Sequence, residues 1–280
     1  LDALMNAARA HLLLGDGQGA EERVVRAQKL PGAAQSAEEL LDLRARALIA
    51  EHKAADAVAM LRKTLPNALR GETPALLMEA YLDLEQSARA TEVVRLAPPR
   101  ARLGIDLLVA RARLAVERGR DSVAEGFASE AIARLRGTHG QRAIKAEAYA
   151  ILGRSQYEQG SFRVALRTLK AATELDPRMA RAGHYLGLVD YDLKRMGDAR
   201  TAMEAAVKAD PLFSDAWYYL GRARDALGDP AAKDAYAKYL EVASKGPYAA
   251  EAREALRGAG AAPKPPTPTS SRPRIRRRGR

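Results

Sequence analysis

The chain has 280 residues, a formal net charge of +11, 47% hydrophobic residues and only 5% aromatic residues. Its length suffices for one large core or for two domains, and no segment approaches the roughly 18 consecutive apolar residues of a membrane-spanning helix. The absence of Cys excludes a disulfide framework and a thiol nucleophile.

Residues 1–30 form the first predicted pair of helices. A helical pattern over residues 1–14 ends in the glycine-rich segment 15–19, and a second helix is predicted to follow it. We interpret the glycines as a turn, because a phosphate-binding loop would need a preceding strand and a following Lys-Ser/Thr pair. Because the sequence starts at Leu1 within a helix and without Met, we expect it to be a fragment of a longer chain.

Three diverged units with the same two-helix pattern follow, at residues 38–65, 71–98 and 105–135. In each unit, apolar and small residues recur at helical spacing in both halves. The inferred units start at residues 1, 38, 71, 105, 146, 180 and 214, and the longer intervals of 37 and 41 residues place insertions at residues 32–35 and 137–140. We expect the second insertion to mark a bend in the array.

The pattern is most regular in the second half of the chain, where it repeats with a period of 34 residues. The Leu-Gly pair at 152–153 returns at 186–187 and 220–221, and the Asp-Pro pair at 176–177 returns at 210–211. The glycine lets a second helix approach the first, and the proline ends one unit and opens the next. Neither helix of a pair can bury its apolar face alone, so the pattern predicts units stacked into a solenoid.

This pattern resembles the tetratricopeptide repeat at Tyr149, Leu152, Gly153, Phe162, Ala165, Leu169, Ala172 and Pro177, and again at Trp217, Leu220 and Gly221. Within each unit, we expect the glycine to meet a small residue of the second helix, Ala165 or its equivalent Ala199. The resemblance implies an all-α fold, a right-handed α-solenoid of about seven helix pairs. A short helix from Tyr248 to Arg257 has the polarity of a terminal cap.

The predicted organisation has three parts. Residues 1–136 contain four diverged repeats, and residues 144–257 contain three regular repeats and the capping helix. Residues 258–280 are rich in Pro and Arg and cannot bury enough apolar surface to order themselves, so they are predicted to form a disordered tail.

The tail carries seven basic residues and no acidic residue, which leaves a charge of only +4 on the rest of the chain. A basic strand can neutralise phosphates without an ordered site. One alternative function is therefore weak binding of nucleic acid or acidic lipid, and the other interpretation is a solubilising terminus. The residues predicted to contact a polyanion are Arg272, Arg274, Arg276, Arg277, Arg278 and Arg280.

No catalytic or metal-binding constellation is apparent in the sequence. The four His residues are scattered over different units, and the acidic residues alternate with Arg and Lys along helix faces. We therefore expect no enzymatic activity, no metal and no cofactor in this chain. The alternative is an enzyme whose catalytic domain precedes Leu1.

The resemblance implies that a peptide or partner protein binds in a concave groove lined by the first helices of the units. The groove residues implied by their positions are Arg154, Tyr157, Arg181, His184, Tyr191, Tyr218 and Arg222. Arg and Tyr are frequent in interaction hot spots, and we expect these side chains to lie off the packing face, so that their loss would leave the fold intact. The alternative for Tyr157 and Tyr191 is packing between helices.

The predicted function is that of a protein-interaction scaffold in a multiprotein assembly. The bias towards Ala and Arg favours a bacterial origin, and similar proteins serve envelope, secretion or motility machines. The predicted location is the cytoplasm, with a periplasmic or envelope-associated location as the alternative if a signal or anchor precedes Leu1.

Overall fold

A computed structural model describes residues 1–63, 73–96, 104–137 and 141–257. Within these ranges the chain forms fifteen α-helices and no strand, which confirms the predicted all-α fold. The helices are α1 (Asp2–Leu13), α2 (Gly17–Ala27), α3 (Ala37–Ala50), α4 (Ala54–Leu61), α5 (Thr73–Asp83), α6 (Ser87–Leu96), α7 (Ile105–Glu117), α8 (Asp121–Arg134), α9 (Arg142–Glu158), α10 (Phe162–Leu175), α11 (Ala180–Asp192), α12 (Met196–Ala209), α13 (Ser214–Ala226), α14 (Ala232–Val242) and α15 (Ala249–Arg257).

Fourteen of these helices form seven successive pairs. In each pair the first helix packs on the second, and the second packs on the first helix of the next pair. Neighbouring first helices also touch along the array. Each unit therefore covers the apolar face of its neighbour, as an α-solenoid of helix pairs requires.

Fully buried alanines explain how closely the helices of a pair approach. The fourth residue of each second helix is an alanine with no exposed surface: Ala20, Ala57, Ala90, Ala124, Ala165, Ala199 and Ala235. A larger side chain at these positions would separate the two helices. The same small residue therefore holds diverged and regular units in one geometry.

The glycine of the Leu-Gly pair faces a large residue, and the expectation that it meets Ala165 or Ala199 is wrong. A Cβ atom added to Gly153 would lie 2.5 Å from Cγ of Leu169, one turn after Ala165. Helical side chains lean towards the N-terminus, so a residue further along the helix covers the spot. The equivalent contacts join Gly187 to Met203 and Gly221 to Tyr236, each at 2.7 Å from the added atom.

The insertion predicted at residues 137–140 partly lengthens a helix. Helix α9 has 17 residues, whereas α11 and α13 have 13 each. The extra turn lies at the start of α9, which begins at Arg142. Residues 138–140 lie outside the described residues, as does the predicted tail, 258–280.

Helix α15 takes the place of the first helix of an eighth unit, since Tyr248 follows Ser214 by 34 residues. The ring of Tyr248 stacks on that of Tyr218, with centroids 4.2 Å apart and planes 7° apart. The backbone N–H of Tyr248 donates to the Tyr239 hydroxyl at 2.9 Å, and the Tyr218 hydroxyl donates to Glu251. These contacts dock the predicted capping helix on the seventh pair.

Helices long and apolar enough to cross a membrane do not occur in the described part of the chain.

Candidate functional site

A groove runs across the first helices of the N-terminal and central units. Its larger cavity, about 940 Å³, lies along α1 and α3, and an adjoining cavity of about 230 Å³ lies along α5, α7 and α9. The two cavities share three lining residues, Arg46, Glu79 and Ala143. The array is curved around this side, because Arg178 Nη1, in the turn after α10, donates to the carbonyl of Leu14 at 3.0 Å.

Charges alternate along the groove at the repeat period. Glu79, Arg113, Glu147 and Arg181 follow one another at intervals of 34 residues. Arg113 Nη1 lies 3.5 Å from Glu79 Oε1, and Arg181 Nη2 lies 3.2 Å from Glu147 Oε1. Arg113 also pairs with Asp83. Burial raises the pKa of the Glu79 carboxyl; Arg113 opposes this shift, and the carboxylates of Glu147 and Asp83 add to it.

The groove is acidic although the chain is basic. Seven Asp and Glu residues line the two cavities, against three Arg residues. Between the charges lie apolar side chains, including Leu12, Leu43 and Ile49. Leu13 also lines the larger cavity and is 73% exposed. The groove therefore offers apolar surface framed by carboxylates.

Two of the predicted site residues, Arg154 and Arg181, are half-buried and held by carboxylates of the preceding unit. Arg154 Nη1 donates to Glu117 Oε1 at 2.7 Å, and its guanidinium group lies 5.3 Å from the ring centroid of Tyr185. Arg181 pairs with Glu147, as described above. These ion pairs tie adjacent first helices together.

His184 is 5% exposed, so the expectation that it lies off the packing face is wrong. Its ring packs against those of Tyr185, Phe213 and Tyr219, at centroid distances of 5.3, 4.8 and 5.8 Å. Its buried Nδ1 atom has no hydrogen-bond partner among the described residues. Burial, assisted by the positive charge of Arg154, lowers the pKa of His184 to about 3. The imidazole is therefore neutral at physiological pH.

The same expectation is wrong for Tyr218 and Arg222, which are 1% and 5% exposed. Tyr218 is covered by the capping helix through Tyr248. The guanidinium group of Arg222 lies 5.2 Å from the ring centroid of Tyr191 and 5.9 Å from that of Tyr218. Both side chains therefore contribute to packing at the last repeat.

Tyr157 and Tyr191 are half-buried, and each ring packs against a neighbouring ring. The Tyr157 hydroxyl donates to Asp192 Oδ2 at 2.9 Å, and its ring centroid lies 6.0 Å from that of Tyr185. The ring of Tyr191 lies 6.2 Å from that of Tyr219. Burial and the neighbouring Asp192 raise the pKa of Tyr157. This geometry fits the alternative interpretation, packing between helices.

The predicted site residues thus lie on α9, α11 and α13, and three of them are buried, whereas the groove cavities lie along α1 to α9. Sequence reasoning missed the groove residues of the diverged units. The signal that could have found them is the alternation of charge at a period of 34 residues. The predicted polyanion contacts, Arg272, Arg274, Arg276, Arg277, Arg278 and Arg280, lie outside the described residues. Over the described ranges, no three His, Asp or Glu side chains come together as a metal site would require.

Comparison with solved structures finds similar folds at low sequence identity. The C-terminal part of a TPR repeat-containing protein from Cytophaga hutchinsonii is 18% identical, over 77% of this chain and 87% of that chain, with a TM-score of 0.45. A thermophilic TPR protein of Thermus thermophilus is 23% identical, over 68% and 98%, with a TM-score of 0.49. YrrB, a TPR protein with an unusual peptide-binding site, is 15% identical, over 69% and 96%, with a TM-score of 0.45.

No curated protein matches the chain. A family model described as tetratricopeptide repeat matches residues 152–200 and 186–250. These ranges hold the Leu-Gly and Asp-Pro pairs and helices α10 to α14. Residues 152–250 are therefore tetratricopeptide repeats.

Proposed function

We propose that this chain is a protein-interaction scaffold that holds a segment of a partner protein in the groove along α1, α3, α5, α7 and α9. The observation that carries the proposal is the cavity of about 940 Å³, in which apolar side chains are framed by carboxylates. Such a cavity is large enough for several side chains of a peptide. The partner segment is expected to combine aliphatic and basic residues.

Exposed apolar surface within the groove supports this function. Leu13 leaves 73% of its surface exposed and lines the cavity beside Leu12. An exposed apolar patch rimmed by polar residues is typical of an interaction site. Burying these side chains under a partner would supply the apolar part of the binding free energy, at roughly 25 cal/mol per Å².

The carboxylates would select the charge of the partner. Glu38 is exposed, lines the cavity and has no ion pair among the described residues. Glu39 lies beside it and pairs with Arg9. Complementary charge mainly speeds encounter and excludes wrong partners. A segment with Lys or Arg near its aliphatic residues would therefore be preferred over an acidic segment.

The sequence-predicted residues receive two roles in this proposal. Arg154, Tyr157, Arg181 and Tyr191 are half-buried and remain proposed contacts at the C-terminal end of the concave side. The buried His184, Tyr218 and Arg222 would instead set the position of the first helices. A non-catalytic role in a bacterial multiprotein assembly, and a cytoplasmic location, remain part of the proposal. The bias towards Ala and Arg supports the bacterial origin.

Selection of peptides from a random display library on the full chain tests this function. We expect the selected peptides to be enriched in Lys or Arg and in aliphatic residues. Replacing Leu13→Gln and Glu38→Lys together should weaken their binding about tenfold, roughly 1.4 kcal/mol, as measured by isothermal titration calorimetry.

The matched control carries the same chemical changes outside the groove. Leu212 is 65% exposed in the turn between α12 and α13, and Glu92 is exposed on the second helix α6. The variant Leu212→Gln with Glu92→Lys should bind the peptides as the wild type does. Equal weakening in both variants, or enrichment of acidic peptides, would contradict the proposed groove.

A further inference from the structure

Acidic and basic residues are concentrated in different parts of the chain. The groove cavities are lined by seven carboxylates and three guanidinium groups. Residues 258–280 carry six Arg and one Lys and no acidic residue. The most basic segment of the chain is thus complementary to its acidic groove.

The groove carboxylates outnumber the arginines that pair with them. An arginine partner is present at Glu39, Glu79, Asp106 and Glu147, whereas the exposed Glu38 has no ion pair among the described residues. Arg113 alone faces Glu79 and Asp83 as direct partners, and Glu147 also acts on its charge. The carboxyl of Glu79 is partly buried, and its pKa is raised by burial. An additional guanidinium group in this cavity would offset the cost of burying a carboxylate in acidic surroundings.

The length of the basic segment is sufficient to reach the groove. A chain of 23 residues spans at most roughly 75 Å, at about 3.3 Å per residue. First helices packed about 10 Å apart would place α1 roughly 70 Å from the end of a straight array. The curvature that brings Arg178 to the carbonyl of Leu14 makes the path shorter.

We propose that residues 258–280 occupy the groove of the same molecule, with the arginines at 272–280 against its carboxylates. This inference rests on the proposed function of the groove and adds its regulation. A partner segment must then displace the chain's own segment. The apparent affinity for the partner is lowered according to the fraction of molecules in which the groove is already occupied. Salt weakens the contact, because it screens charges that are partly exposed.

The absence of Cys from the sequence makes a direct test possible. A spin label is attached to the full chain through Gly279→Cys, and broadening of methyl resonances is recorded at low salt without any partner. We expect selective broadening of Leu12, Leu13 and Ile49, which line the larger cavity. The broadening should be independent of protein concentration and should fade in high salt.

Two variants of the labelled full chain separate this contact from unspecific attraction. Broadening should disappear when Glu38→Lys and Glu39→Lys are introduced, and persist in the control Glu92→Lys. It should also disappear when the following residues are all changed to Gln: Arg272, Arg274, Arg276, Arg277, Arg278 and Arg280. Broadening that spreads over the whole surface would overturn the proposal. So would broadening that occurs only between separate molecules, as seen when labelled and unlabelled chains are mixed.

Duplex DNA serves as a second probe, because it would compete for the same arginines. If the segment is held in the groove, the full-length Glu38→Lys, Glu39→Lys variant should bind DNA at least threefold more tightly than a full-length Glu92→Lys, Glu174→Lys control, which carries the same charge change on second helices. Equal affinity would mean that the arginines are not held there. Selected peptides that bind the groove although the label shows no contact would leave the proposed function intact and refute only this inference.

Discussion

Replacing His184 by Phe is expected to make the chain markedly more resistant to acid. The folded state holds this imidazole neutral, with a pKa of about 3, whereas an unfolded histidine titrates near pH 6.5. Between these values the unfolded state binds more protons, so the free energy of unfolding falls as the pH falls. The loss is at most about 1.4 kcal/mol per pH unit, or roughly 3 kcal/mol between pH 6.5 and 4.5.

The measurement is urea unfolding of wild type and His184→Phe at several pH values, followed by the fluorescence of Trp217, the single tryptophan. At pH 7.5 the variant should be about as stable as the wild type, because Phe fits an aromatic environment and removes the unpartnered Nδ1 atom. The raised pKa values of carboxyl groups such as those of Glu79 and Asp215 affect the stability of both proteins equally, so they cancel in the difference between the two. A constant difference in stability from pH 7.5 to 4.5 would show that His184 is not buried as a neutral group.

The contact between Gly153 and Leu169 predicts a second large effect. Leu169 is fully buried, and changing Leu169→Ala should lower stability by about 2–5 kcal/mol through lost burial and a residual cavity. Gly153→Ala should cost about 1–3 kcal/mol through overpacking, less the roughly 1 kcal/mol that Ala gains in a helix. The double variant should be more stable than additivity predicts, because the new methyl group enters the space that Leu169 vacates.

The coupling is measured by urea unfolding of the four proteins in the cycle. Gly197 on α12 is the control, because an added Cβ atom would meet no atom of the described residues within 4 Å. Gly197→Ala should stabilise the helix slightly and show no coupling to Leu169→Ala. Additive effects of Gly153→Ala and Leu169→Ala would mean that the two residues are not opposed.

Much of the fold follows from the period of 34 residues. The unit starts inferred at residues 105, 180 and 214 coincide with the starts of α7, α11 and α13. The diverged units were also predictable, because their small residues keep the helical spacing. The residue that each glycine contacts was not predictable, because helical side chains lean towards the N-terminus and shift the contact on the second helix by one turn.

The site was less predictable than the fold. A repeat position places His184 and Tyr218 on the same helix face in successive units, but it does not say what covers that face. At Tyr218 the cover is α15, through Tyr248, and at His184 it is a set of aromatic rings. Twelve of the fourteen aromatic residues lie between residues 149 and 248, so inward packing is most extensive where binding residues were expected.

The charge alternation of the groove could not be predicted from residue positions within the units, for a geometric reason. Arg113 and Glu147 are 34 residues apart, yet counting from the unit starts gives them different positions. The intervening interval is seven residues longer than the period, and seven residues are about two helical turns. An insertion of two turns leaves the helix face unchanged, so both side chains point into the same cavity.

Hydrogen exchange of the full chain, with and without a peptide selected on it, tests the central claim most directly. If the groove binds the segment, added protection should appear in the first helices α1, α3, α5 and α7, which line the cavities. The second helices α2, α4 and α6 should exchange as before. Protection confined to the second helices, or to α11 to α15 alone, would contradict the account.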